Sequence, residues 1–302
     1  MAELQRAKRI RTHAPLRRRV HKIRAPWVIV YILMILLVCF TALPLVYMVN
    51  TAFKPMQELF VFPPNFFVRN PTTKNFVDLV VVMGSSTVPF IRNVVNSIIV
   101  SVSIVFLTVM VSTTGAYGLV KFHIPGRKLI FNIVVASLMF SPHVTQIPRY
   151  LVVNGLGMIN HYSALILPAV ASSYNFFLMK QFVEQFPNEL LEAGRIDGCG
   201  EYRMFFKLVM PALRPAWCTL VVFSFVSSWN DYFTPLIYVT SQAMKTLPLA
   251  LQTIAGGAAA QSISRAGAVA AATLLMTLPT IVIFTAMQKN VMETMTYSGI
   301  KG

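Results

Sequence analysis

Half of the carboxylates in this 302-residue chain crowd one short stretch. Of ten Asp and Glu residues, Glu184, Glu189, Glu192, Asp197 and Glu201 fall within or just before ELLEAGRIDGCGEYRMFFKLVMP, Glu189 to Pro211. Acids gathered on a short helical segment suit the positive end of the helix dipole and can meet a basic partner surface. They do not point to catalysis, because nothing nearby completes an acid–base or nucleophile set. His13, His21, His123, His143 and His161 are scattered, and Cys39, Cys199 and Cys218 have neither a disulfide framework nor zinc spacing. The sequence has no Gly-rich phosphate loop, no H-E-x-x-H and no G-x-S-x-G. A chain with no catalytic residue, no metal and no bound cofactor is expected. Asp231 is the acid that interrupts a long apolar run, with Asn230 beside it. The pair offers acceptors and a donor to the hydroxyls of a polar solute, or to backbone freed near Pro235. His143, between Pro142 and Pro148, is expected to bond a carbonyl freed by proline, and Tyr174, Phe176 and Phe177 to pack more than to stack on a ligand.

Two short helices must carry the acidic cluster. Asn188 after Pro187 reads as an N-cap, which puts Glu189 and Glu192 in the first turn. Asp197-Gly198 supplies turn chemistry, with Gly198 able to take positive φ. In the second helix Tyr202, Phe205, Phe206 and Val209 recur at i, i+3, i+4 and i+7, a single apolar face, and Pro211 and Pro215 mark its end. Helices that rest on lipid prefer Lys and Arg on their polar face. An acidic one fits a protein partner.

The rest of the chain is built for a membrane. It is 56% apolar and only 12% charged, with a mean hydropathy of +0.64, against about 25% charged in a soluble globule. Six charge-poor runs near the ~20 residues of a span can be drawn: 27–48, one within 93–120, 129–148, 162–179, 216–239 and 266–288. The expected fold is all-α, with six transmembrane helices. Of 26 Lys and Arg, 19 lie on the side of the basic tail and 7 opposite, so both termini are expected in the cytoplasm. The organisation follows: 1–26 a basic cytoplasmic tail, 27–49 the first span, 50–92 an external segment, 93–289 a core of five spans with a cytoplasmic loop at 181–214, and 290–302 a cytoplasmic tail. The +16 charge is a topology signal that also sits well against anionic lipid, not a nucleic-acid footprint. The first apolar run is too long for a signal peptide and should stay as an anchor.

The acidic stretch also resembles the cytoplasmic signature of ABC-importer permease subunits, E-A-A, three residues, G, nine residues, I-x-L-P. Glu192, Ala193, Gly198 and Pro211 match it; Gly194 stands for the second Ala, Leu208 for Ile and Met210 for Leu. The stretches NSIIVS (96–101), GAYGLVKF (115–122), WNDYFTPLIYVTS (229–241), KTLPLALQ (245–252) and SGIKG (298–302) look like the sugar-importer branch, in its maltose-permease-like second subunit. The resemblance implies a type I importer permease fold in which this loop is a coupling helix. Glu192, Ala193, Gly194, Asp197, Gly198, Leu208 and Pro211 would seat it in a groove of a cytoplasmic ATPase, which uses ATP and Mg. It further implies a heterodimer with a second homologous permease, two ATPase subunits and an extracytoplasmic solute-binding protein probed by the loop at 241–265, including Gly256 and Gly257. Asn230 and Asp231 are the candidates for the solute path. The rival readings are a self-sufficient secondary transporter or channel, which would bring repeats and intramembrane charges, and a membrane-embedded enzyme, for which no constellation exists.

Overall fold

A computed structural model describes residues 25–84, 88–255 and 266–299, and among these every regular element is helical, with no strand. Helices satisfy their own backbone groups, as a chain passing through hydrocarbon requires. In order they are α1 (Ala25–Phe53), α2 (Met56–Leu59), α3 (Lys74–Gly84), α4 (Phe90–Lys121), α5 (Arg127–Ser137), α6 (Gln146–Gly155), α7 (Tyr162–Val170), α8 (Ser173–Gln185), α9 (Asn188–Ile196), α10 (Glu201–Ala212), α11 (Arg214–Trp229), α12 (Phe233–Tyr238), α13 (Leu247–Ala255) and α14 (Ala266–Gly299). Among the described residues, three stretches are long and apolar enough to cross a membrane: Trp27–Phe53, Phe90–Lys121 and Ala266–Met292. There are up to five if α7 with α8, bent by 42°, and α10 with α11, bent by 76°, each count as one span.

The chain divides into two compact units, Met1–Tyr47 and Met48–Gly302. In the first, the apolar side chains of α1 are exposed on every side, as in a helix surrounded by lipid. The second is organised around α4. Its buried face carries Asn93, Ser97, Ser101, Thr108 and Ser112, spaced mostly by four residues, and small side chains there let α7, α8 and α11 approach closely. α14 packs along α11 and α3.

Three expected spans are interrupted. The run 129–148 is not one helix: α5 stops at Ser137, turns occupy the interval to Thr145, and α6 follows. Pro142 cannot continue a helical ladder, whereas Pro148 is tolerated because it lies in the first turn of α6. The run 162–179 breaks at Ala171–Ser172, after Pro168, and Ser172 Oγ accepts the Asn175 N–H to cap α8. The run 216–239 breaks after Trp229, and α12 begins beyond Asp231.

Segment 50–92 holds α2 and α3 with turns between. Lys54 is buried and donates to the Asn65 carbonyl. Asn75 Nδ2 bridges the carbonyls of Ala52 and Lys54 at 2.9 and 2.7 Å. Glu58 accepts the backbone N–H groups of Arg69 and Asn70, both at 3.0 Å, and the Arg69 hydrogen bond above all holds its carboxyl below the usual range.

Candidate functional site

The acidic stretch folds as two helices across a tight bend. α9 starts at Asn188 itself, with Pro187 as the N-cap and no side-chain cap. Asn188 therefore does not cap; its Oδ1 accepts instead from Lys121 Nζ at 2.8 Å, and the same ammonium donates to the Phe186 carbonyl at 2.6 Å. Because α9 begins one residue earlier than expected, Glu189 lies in its first turn and Glu192 just past it. Gly198 has φ of +74°, and the N–H groups of Gly198 and Cys199 close on the carbonyls of Arg195 and Gly194. This is a left-handed helix stop that favours glycine.

α10 departs from the expected face. Phe205–Val209 is a π turn, next to Pro211, which has no N–H to return to the Lys207 carbonyl. A π turn holds an extra residue, so the inward set becomes Met204, Phe205 and Val209, all buried, while Tyr202 is 87% and Phe206 52% exposed. The buried three join α4, α8 and α11 through Tyr117, Met179, Val183 and Leu220. At the junction with α11, the Trp217 indole donates to the Met210 carbonyl at 3.0 Å.

Gly194 is buried at the crossing of α9 and α10. A Cβ there would lie 3.2 Å from Met204 Sδ and 3.3 Å from Leu208 Cδ1, so glycine permits this close approach. Glu201 is a hub that sequence reasoning missed. It accepts from Arg195 Nε at 3.1 Å across the bend and from Tyr117 OH of α4 at 3.2 Å. Glu189, Glu192, Ala193 and Asp197 remain exposed, as do Gly198, Leu208 and Pro211. Ile196, 87% exposed, and Tyr202 flank the bend as apolar projections among the acids. Periodicity hid them, since it assigned Tyr202 inward and offered no role for Ile196.

The Asn230–Asp231 pair diverges. Asp231 Oδ1 accepts the N–H groups of Phe233 and Thr234, both at 3.0 Å, and so caps α12. Its side chain lines a hollow of about 320 Å³ together with Tyr174 and Asn175. Asn230 donates to the Val226 carbonyl at 2.8 Å and faces a different hollow of about 280 Å³, beside Tyr232 and Gln252. Phe176 packs at 3.0 Å from the Cβ position of Gly115, and Phe177 stacks on Phe131. His143 is exposed in the turn after α5 and makes no side-chain hydrogen bond among the described residues, so the expected carbonyl bond is not formed. Gly256 and Gly257 lie outside the described residues. No group of three or more His, Cys, Asp or Glu among the described residues could hold a metal.

Comparison with known proteins agrees with this geometry. Residues 23–296 match the family described as binding-protein-dependent transport system inner membrane component. Protein LplC of Bacillus subtilis is 32% identical over 87% of this chain and 90% of its own length. The arabinooligosaccharides transport system permease protein AraQ of Halalkalibacterium halodurans is 28% identical over 86% and 91%. A chain from the crystal structure of a bacterial ABC transporter involved in the import of the acidic polysaccharide alginate superposes with a TM-score of 0.77, covering 89% of this chain and 97% of that one at 18% identity, a likeness of fold. The chain, in which every regular element among the described residues is helical, belongs to the binding-protein-dependent inner membrane components, the non-catalytic, multi-pass permease subunits of ABC importers.

Proposed function

We propose that this chain is one half of the translocation pathway of an ATP-driven importer of sugars or oligosaccharides. The observation that carries the coupling role is the loop 181–214. Its two short helices are locked to α4 and α11 from within, and turn Glu192, Ile196, Asp197 and Tyr202 outward around the Gly198 bend. That surface suits a groove with basic and apolar walls on a cytoplasmic ATPase, which binds ATP and Mg. Two such ATPases, a second homologous permease and an extracytoplasmic solute-binding protein complete the assembly. Both termini are cytoplasmic, and α5 with α6 forms a sixth, broken span. Residues 1–26 and 290–302 are the cytoplasmic tails, 50–92 faces outward, and Gly256 and Gly257 belong to the loop that meets the binding protein. A sugar cargo is supported by the resemblance to sugar-importer permeases and by the arabinooligosaccharide relative.

Gly198→Pro and Glu192→Lys test the coupling role. Proline cannot adopt the positive φ of residue 198, and lysine reverses the charge presented to a basic groove. Both variants are expected in the membrane at normal abundance with ATP-driven uptake lost in vesicles containing the complete importer. Normal uptake in both would remove the loop from the coupling mechanism.

A further inference from the structure

The hollow beside Asp231 lies among α4, α6, α7, α8, α11 and α12. Its volume of about 320 Å³ sits at the small end of the ~300–1,000 Å³ found for ligand sites. Tyr174 and Phe223 form one side, ring centroids 6.0 Å apart and tilted by 53°, each near half exposed. Ring faces left open beside polar groups suit a ligand that has both C–H and hydroxyl surfaces. Asn175 is buried in the wall, with its Nδ2 directed at Ser224 Oγ, 3.3 Å away. Asp231 is a preoriented acceptor, because two backbone N–H groups fix its Oδ1. Arg149 supplies the complementary donor fork; it gives no side-chain hydrogen bond and pairs with no carboxylate among the described residues.

Arg149 and Asp231, with Thr234, also line a second hollow of about 440 Å³ that includes His143 and Gln146. The two hollows therefore share a wall made of one cation, one anion and one hydroxyl. A solute moving from one to the other meets donors and acceptors of balanced charge.

We infer that this subunit itself holds an uncharged sugar ring during passage, with Tyr174 and Phe223 against the C–H face and Arg149 and Asp231 bonding hydroxyls at the shared wall. An anionic sugar would gain from Arg149 and lose by repulsion from Asp231, so the balanced wall returns nothing for the water its charge gives up on entry, a cost a neutral sugar does not carry. The inference rests on the importer reading and adds to it the subunit, the hollow and the charge class of the cargo.

Ser227 lines the first hollow and is exposed there, so Ser227→Cys places a reporter thiol in it. The complete importer carrying this change is reconstituted in nanodiscs, and its alkylation rate at residue 227, localised by mass spectrometry, is followed with lactose, arabinobiose or digalacturonate. A neutral disaccharide at ten times its dissociation constant is expected to slow alkylation about tenfold, digalacturonate to leave it unchanged, and Phe223→Ala or Arg149→Gln to abolish the protection. Thr234→Cys, on the shared wall, reports the same binding if Ser227→Cys does not reach the membrane. No slowing by either neutral sugar, at either thiol, overturns the inference, and equal protection by digalacturonate overturns the charge class. Wild-type vesicles decide the importer reading separately. ATP-driven uptake without protection sinks the hollow alone, whereas protection without uptake supports the hollow and sinks the importer reading.

Discussion

Gly194 illustrates how one position serves both helix and packing. Alanine would raise the helix propensity of α9 by about 1 kcal/mol, and the atoms its Cβ would meet, Met204 Sδ and Leu208 Cδ1, are the far ends of flexible side chains. Gly194→Ala is therefore expected to leave the thermal midpoint of the purified importer nearly unchanged. Gly194→Leu has no room and should cost about 1–3 kcal/mol by overpacking, pushing α10 away from α9 and lowering both the midpoint and ATP-driven uptake. Equal midpoints for both variants would show that the crossing is looser than its distances imply. Glu201 carries a smaller share. Its pair with Arg195 has side chains 47% and 41% exposed, so solvent screening leaves well under 1 kcal/mol, and its bond to Tyr117 ties the bend to α4. The signal for Gly194 was present in the sequence as a glycine where the resembled family has alanine, but its partners belong to a different helix and could not be read from spacing.

Among elements, α3 depends on a close approach to α14. A Cβ at Gly267 would fall 2.2 Å from Asn75 Oδ1, a separation that cannot be kept, and Asn75 also holds the chain end of α1 through the Ala52 and Lys54 carbonyls. Gly267→Val is expected to break this three-way joint, leaving buried carbonyls unpaired at about 1–3 kcal/mol, read as a lower thermal midpoint; an unchanged midpoint would contradict it. The neighbouring turn responds to pH through Glu58. Its folded carboxyl titrates below the unfolded one, so the stabilisation is fully present above the ordinary carboxylate range and is lost as pH falls through the depressed value. The protection factors of the Arg69 and Asn70 amides, their exchange relative to the intrinsic rate at the same pH, should be high at neutral pH and fall in acid, and Glu58→Gln should flatten that dependence. Broken helices were only partly legible. Asp231 was read as an interruption, whereas Pro142 and Pro168 lay inside runs taken as single spans, because an apolar run scores alike whether it is one helix or two.

Across the whole molecule, the orientation proposal rests on the 19 to 7 distribution of basic residues and puts Cys199, half-buried beside the Gly198 bend, in the cytoplasm. In sealed right-side-out vesicles a membrane-impermeant maleimide should leave Cys199 unlabelled until the membrane is permeabilised; labelling beforehand would invert the topology. The sequence by itself determined the membrane character, the helical class, the two-helix loop with its stop at Gly198, and the family resemblance, because hydropathy, turn chemistry and a linear motif act over neighbouring residues. Tertiary structure decided which residues face which way. The π turn beside Pro211 rotated Tyr202 and Phe206 outward, Lys121 took Asn188 away from capping, and the break after Trp229 sent Asn230 and Asp231 into different hollows. Each of these outcomes depends on a partner far along the chain or on a register shift of one residue, and a helical period carries no information about either.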